Sequence, residues 1–195
     1  MPYVSGLREL RGDRVAVELD GARWRTLPLE VVARVRLGVG EELDRPRLRE
    51  LARALRRARA VDTALRSVSR REQTAAGLDR RLRRRGVAPA VRRETVERLE
   101  EVGLVDDERY ALRRAESLAE RGHGDASIAW RLAREGVAEE DAAKAVGALE
   151  AEHERARRIV AARGAGPATA RELARRGFGA EAVEDALGPF VADSP

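Results

Sequence analysis

Along residues 14–27, RVAVELDGARWRTL, apolar and polar positions alternate: Val15, Val17 and Leu19 fall at every second residue, Asp20-Gly21 interrupts, and Trp24 sits in a second extended run. Side chains of a strand alternate between its two faces, so this pattern predicts two strands with one apolar face. Asp-Gly supplies the two positive-φ positions of a type I′ hairpin turn. The preceding YVSGLREL predicts a third short strand. A short helix over 29–36 and the break GVGEEL then close a small N-terminal module at residues 1–45.

From Pro46 onward the period becomes helical and the pattern repeats. Leu82, Gly86, Val87, Val96 and Leu99 recur as Leu132, Gly136, Val137, Val146 and Leu149, and again as Leu173, Gly177, Phe178, Leu187 and Phe190, with every offset from the glycine unchanged. A Leu-bearing helix that ends at Gly, followed by an apolar residue able to fold back on the last turn, is a Schellman-type stop. Apolar residues ten and thirteen positions past the glycine share one face of a second helix. Helical stretches over 47–67, 107–121 and 151–163 precede these pairs, so each unit is three helices. Ser69-Arg70-Arg71-Glu72 reads as a capping box opening the second helix of the first unit, and Pro167 as a first-turn proline in the third.

The expected fold is therefore mostly α: three three-helix repeats, about nine helices, after a β-hairpin module. The expected boundaries are 1–45 for the module, 46–104 for repeat one, 105–150 for repeat two and 151–195 for repeat three. Units this small bury little surface alone, and stacking them into an elongated, curved array is the natural solution.

Composition agrees with an Ala/Leu/Val-packed helical protein: 43% hydrophobic, 37% charged, and only two each of Trp, Tyr and Phe. Without cysteine there are no disulfides or thiolate metal sites. No apolar run reaches signal-peptide or membrane-span length, so a soluble, cytoplasmic protein is expected. Charge is unevenly placed. Residues 46–105 hold 17 basic and 8 acidic side chains, whereas 106–150 hold 7 and 11. A basic segment beside an acidic one suits an oriented contact with a polyanion or a charged protein surface.

No pattern points to catalysis, metal or cofactor. His123 and His153 lie in different segments, Arg157 stands where a zincin-type helix needs a second His, and RGAGPAT lacks both the Lys-Ser/Thr and the strand of a phosphate loop. In GLVDDERYA, Asp106 and Asp107 are adjacent and so about 100° apart on a helix, which suits an N-cap and first turn better than an acid/base pair. The densest basic run is DRRLRRRG. Leu78 and Leu82 form its buried stripe, which turns Arg80, Arg81, Arg83, Arg84 and Arg85 outward. With Arg92 and Arg93 they read either as a solvated face or as a contact for phosphates or an acidic groove.

GLVDDERYA, SRRE ahead of a Leu-x-x-x-Gly helix end, LAREGV (132–137) and LARRGF (173–178), set on three three-helix repeats, resemble the RecX family of regulatory proteins over residues 50–191. The resemblance implies a non-enzymatic modulator that lies along the RecA recombinase filament on DNA and lowers its ATP hydrolysis, strand exchange and co-protease activity, within recombination, DNA repair and the SOS response. It implies no catalytic residues. It marks Asp106, Asp107, Arg109 and Tyr110 as the family's characteristic helix start. A monomer is the simplest way to fit the groove of such a filament. The basic first repeat adds single- or double-stranded DNA as a further expected partner. The competing expectation is a direct DNA binder whose three-helix units place a helix in a groove. A scaffold that touches no DNA is a third.

Overall fold

A computed structural model describes residues 1–188. Strands β1 (Val4–Leu10), β2 (Arg14–Leu19) and β3 (Ala22–Pro28) form an antiparallel sheet of order β1-β2-β3. Asp20 and Gly21 both take positive φ, 50° and 82°, as the hairpin turn requires. Val15, Val17 and Leu27 turn inward and pack with Val31, Val32 and Val35 of α1 (Leu29–Val35).

Nine further helices follow among the described residues: α2 (Arg45–Val68), α3 (Ala75–Arg84), α4 (Pro89–Glu101), α5 (Asp107–Glu120), α6 (Asp125–Glu135), α7 (Glu139–Gly147), α8 (Glu152–Arg163), α9 (Pro167–Arg175) and α10 (Ala180–Leu187). By internal packing the chain divides into two compact units, Met1–Arg71 with Asp79–Leu99, and Glu72–Leu78 with Glu100–Pro195.

In the first unit α2 belongs to two neighbourhoods. The Asp44 side chain caps it by accepting from the Arg47 N–H at 2.7 Å. Its first half buries Leu51, Ala54 and Ala58 in the core of the β-module. Its second half buries Ala60, Ala64 and Ser67. At 100° per residue the buried face has moved by about 145° around the axis.

The glycine-terminated helices end alike. The Val87 N–H donates to the Leu82 carbonyl at 3.2 Å, Val137 to Leu132 at 3.0 Å and Phe178 to Leu173 at 3.1 Å. Gly86, Gly136 and Gly177 have φ of 73°, 97° and 83°, the left-handed conformation this stop needs. Leu82, Leu132 and Leu173 are fully buried. Phe190, the final member of the third copy, lies outside the described residues.

The capping box expected at Ser69–Glu72 does not form. Helix α2 runs on to Val68 and uses Ser69 as its C-cap, so α3 starts only at Ala75. Thr74 takes the capping role instead, its Oγ1 accepting from the Gly77 N–H at 3.0 Å.

In the second unit, repeats meet where one second helix starts and the next repeat's second helix ends. At the start of α3, the Thr74 hydroxyl donates to the Glu135 carbonyl at the end of α6 (2.7 Å). At the start of α6, the Gly124 and Ala126 N–H groups donate to the Arg176 and Gly177 carbonyls just past α9, at 2.9 and 3.2 Å. A Cβ added to Gly124 would overlap the Gly177 carbonyl and the Phe178 nitrogen, all of them backbone. Around Gly147 the space is open. Gly124→Ala is therefore expected to lower stability by about 1–3 kcal/mol through overpacking. Gly147→Ala is expected to leave it unchanged or raise it by up to about 1 kcal/mol through helix propensity. Denaturant melts of the two variants check this, and equal midpoints would contradict the close approach.

Candidate functional site

The GLVDDERYA block builds a polar knot inside the second unit. Asp106 is the N-cap of α5, its Oδ1 accepting from the Arg109 N–H at 2.8 Å. Asp107, the next residue, serves a different helix: its Oδ1 accepts from the Ala75 N–H at 2.8 Å and so caps α3. The two carboxylates diverge and share no reacting atom. Arg109 closes the turn, with Nε on Glu72 at 2.9 Å, Nη1 on Asp106 at 3.2 Å and Nη2 on the Gly103 carbonyl at 3.2 Å. The Tyr110 hydroxyl donates to Glu135 Oε2 at 2.7 Å, and Arg114 forks onto the same carboxylate at 2.7–3.1 Å.

The electrostatics follow from that wiring. Burial raises the Asp107 carboxyl above its ordinary value; the Ala75 N–H opposes this, while the Asp141 and Asp106 charges add to it. Burial pushes Glu135 upward too, but the Arg114 fork and the Tyr110 hydroxyl outweigh it and hold Glu135 below its ordinary value.

The same carboxylate-to-helix-start contact recurs one repeat later. Glu152, first residue of α8, accepts from the Asp125 N–H, first residue of α6, at 2.6 Å through Oε1 and from the Gly179 N–H at 3.1 Å through Oε2. Asp107 is likewise the first residue of α5, and Ala75 the first of α3. Beside the later contact, Arg155 is 5% exposed, reaches the Glu150 and His123 carbonyls at 3.0 Å each, and pairs with Asp125.

The predicted arginines separate into three groups. Arg83, Arg84, Arg85 and Arg93 are exposed and have no ion-pair partner among the described residues, and Arg80 and Arg81 are half-buried. Arg92 is spent internally, with Nε on Asp79 at 2.7 Å and Nη1 on the Val87 carbonyl at 3.0 Å. This whole face belongs to the first unit, which carries 25 basic and 13 acidic residues, net +12; the second unit carries 14 and 21, net −7.

Three features are not evident from the sequence pattern alone. Glu135 has a signal after the fact: the residue before the repeat glycine is Arg85 and Arg176 in the outer copies but Glu in the middle one. Thr74 shows no pattern of its own. Trp130 is 56% exposed, with the Arg134 guanidinium 4.7 Å from its ring centroid, beside a groove lined by Ala126, Ala129, Ala133, Ala142 and Val146. No helix among the described residues is long and apolar enough to cross a membrane.

With this geometry in hand, comparison with known proteins converges. A family model described as the first three-helix domain of RecX matches residues 60–99, starting where the buried face of α2 changes. The regulatory protein RecX of Halorhodospira halophila is 38% identical over 148 residues, covering 66% of this chain and 92% of that protein. The regulatory protein RecX of Mycolicibacterium smegmatis is 34% identical over 124 residues, covering 62% of each. A crystal structure of a regulatory protein RecX shares the fold with a TM-score of 0.80 at 20% identity, over 93% of this chain and 97% of that one. RecX from Lactobacillus salivarius gives 0.61 at 15% identity, over 68% and 94%.

Asp107 offers a direct check of the knot. Asp107→Ala removes the acceptor for Ala75 and is expected to cost about 1 kcal/mol. Asp107→Asn keeps an acceptor and sheds the raised carboxylate, so at neutral pH it is expected to match or exceed wild type. A folded-state pKa above the ordinary 3.8 means that protonation favours the fold, so wild type gains as pH falls through the folded value towards 3.8. Any advantage of Asn over Asp should therefore shrink in that window. Urea melts between neutral pH and about pH 3.5 read this, and an Asn advantage that grew on acidification would contradict it.

Proposed function

The chain belongs to the RecX family of regulatory proteins, and on that premise we propose that it acts without chemistry of its own, by docking on the RecA recombinase filament assembled on DNA. Its effect is to lower recombinase ATP hydrolysis, strand exchange and co-protease activity. The observation that carries this reading is the division of charge, net +12 in one compact unit and −7 in the other. A filament of protein on nucleic acid offers both phosphates and protein surface.

The second unit's surface favours a protein partner. Exposed Trp and Arg at the edge of an apolar groove match the composition of interface hot spots. A protein that only bound duplex would be expected to spread positive charge over most of its units. The exposed Arg83, Arg84, Arg85 and Arg93 are assigned to the filament contact, and Arg92 to holding α4 on Asp79.

The test is the single-strand-dependent ATPase of the cognate RecA, followed as this protein is titrated well below one molecule per recombinase monomer with free DNA in excess. A fall in rate at such ratios is expected. No fall, or a fall only when the protein saturates the DNA, would replace this reading with simple competition for DNA. Reversing Arg83, Arg84, Arg85 and Arg93 to Glu is expected to weaken inhibition at least tenfold while leaving helix content intact, because none of the four is buried. Trp130→Ala is expected to weaken it by a similar factor through the second unit.

A further inference from the structure

Helix α2 carries a second basic surface, outside the matched family domain and away from the α3 arginines in sequence. Arg45, Arg49, Arg53 and Arg56 are all exposed, and none has a hydrogen-bond or ion-pair partner among the described residues. Their spacing of four, four and three keeps them within about 80° around the helix. This face lies opposite Leu51, Ala54 and Ala58, which anchor α2 in the module's core. Nearby arginines are engaged instead: Arg47 pairs with Glu41 and Glu50, Arg57 with Glu94, and Arg66 with Asp62.

The geometry points to a track for a nucleic-acid phosphate backbone along the first half of α2, read by charge alone. The four guanidinium stems cover roughly 16 Å along the helix, the axial length of about five phosphates on one strand of duplex. Between Arg45 and Arg56 the apolar side chains at this face are the half-buried Ala52 within it and Leu48, 38% exposed, at its border, so its centre is held by the arginines. A protein interface has an apolar, charge-depleted centre, which this face lacks. A membrane-surface helix needs a free apolar side next to its basic one, and here that side is buried in the module's core. No aromatic, Asn or Gln stands among the arginines to stack on or read bases, so binding here is independent of sequence. The rigid helix fixes the four stems in line before the ligand arrives.

The proposal is independent of the recombinase and is tested without it. The full chain is titrated into labelled single-stranded and duplex DNA between about 50 and 200 mM salt, with fluorescence anisotropy as readout. Wild type is expected to bind with a steep salt dependence. The variant R45Q/R49Q/R53Q/R56Q is expected to bind at least tenfold more weakly at the low-salt end. Its slope of log K against log salt should be shallower by about three, since each phosphate neutralised by an arginine adds about 0.7–0.9 to the slope. Replacing the same four by Lys should retain most of the slope, and circular dichroism should show both variants folded. An unchanged slope in the Gln variant, or no binding by wild type at low salt, would overturn the proposal. Equally tight binding to polyglutamate, or tighter binding to phosphatidylglycerol vesicles, would overturn the choice of nucleic acid.

Discussion

The second unit depends on one contact made twice: a carboxylate at the first residue of one helix accepts the first free N–H of another. Asp107 does this for α3 and Glu152 for α6. A helix start leaves its early N–H groups without intrahelical acceptors and concentrates positive potential there. Placing the acceptor on the following repeat turns a local need of one helix into a link between repeats. The carbonyls at the end of α6 and just past α9 complete the link, because the same glycine stop that ends a helix aims its last carbonyls at the preceding repeat's helix start.

That economy explains which parts of the fold were legible in the sequence. Alternation at Val15, Val17 and Leu19 with Asp20-Gly21 reported the hairpin, and the three Leu-x-x-x-Gly stops reported the helix pairs, because each is a short-range pattern with one physical cause. The sequence pattern places the start of α3 at Ser69, six residues before its actual start at Ala75. Four residues from Ser69 to Glu72 satisfy a capping rule locally, but the continuation of α2 to Val68 and the demand of Arg109 for Glu72 decide the matter from 37 residues away. Asp107 is the first residue of α5, but the helix it caps is α3, and no periodicity reports that. Trp130 was equally silent, since a lone aromatic on a helix gives no sign of whether it is covered.

The division of charge separates acidic side chains that build the fold from basic ones that it leaves uncommitted. Positive charge is collected in the unit that contains the β-module and α2, on side chains that the core does not use. The unit built around the capping contacts uses acidic side chains for its own assembly, with Glu72, Asp107, Glu135 and Glu152 all engaged internally. Negative charge there is therefore largely structural, whereas much of the positive charge on the other unit is left available for ligands.

Helix α9 begins differently from α3 and α6. Its first residue is Pro167, and Thr169 turns its hydroxyl back to the Gly164 carbonyl at 2.8 Å. Proline has no N–H to offer, so the first-residue donor that Ala75 and Asp125 give to a carboxylate is missing at this helix. Any segment or protein that abuts this helix must do so by other means than the carboxylate clasp.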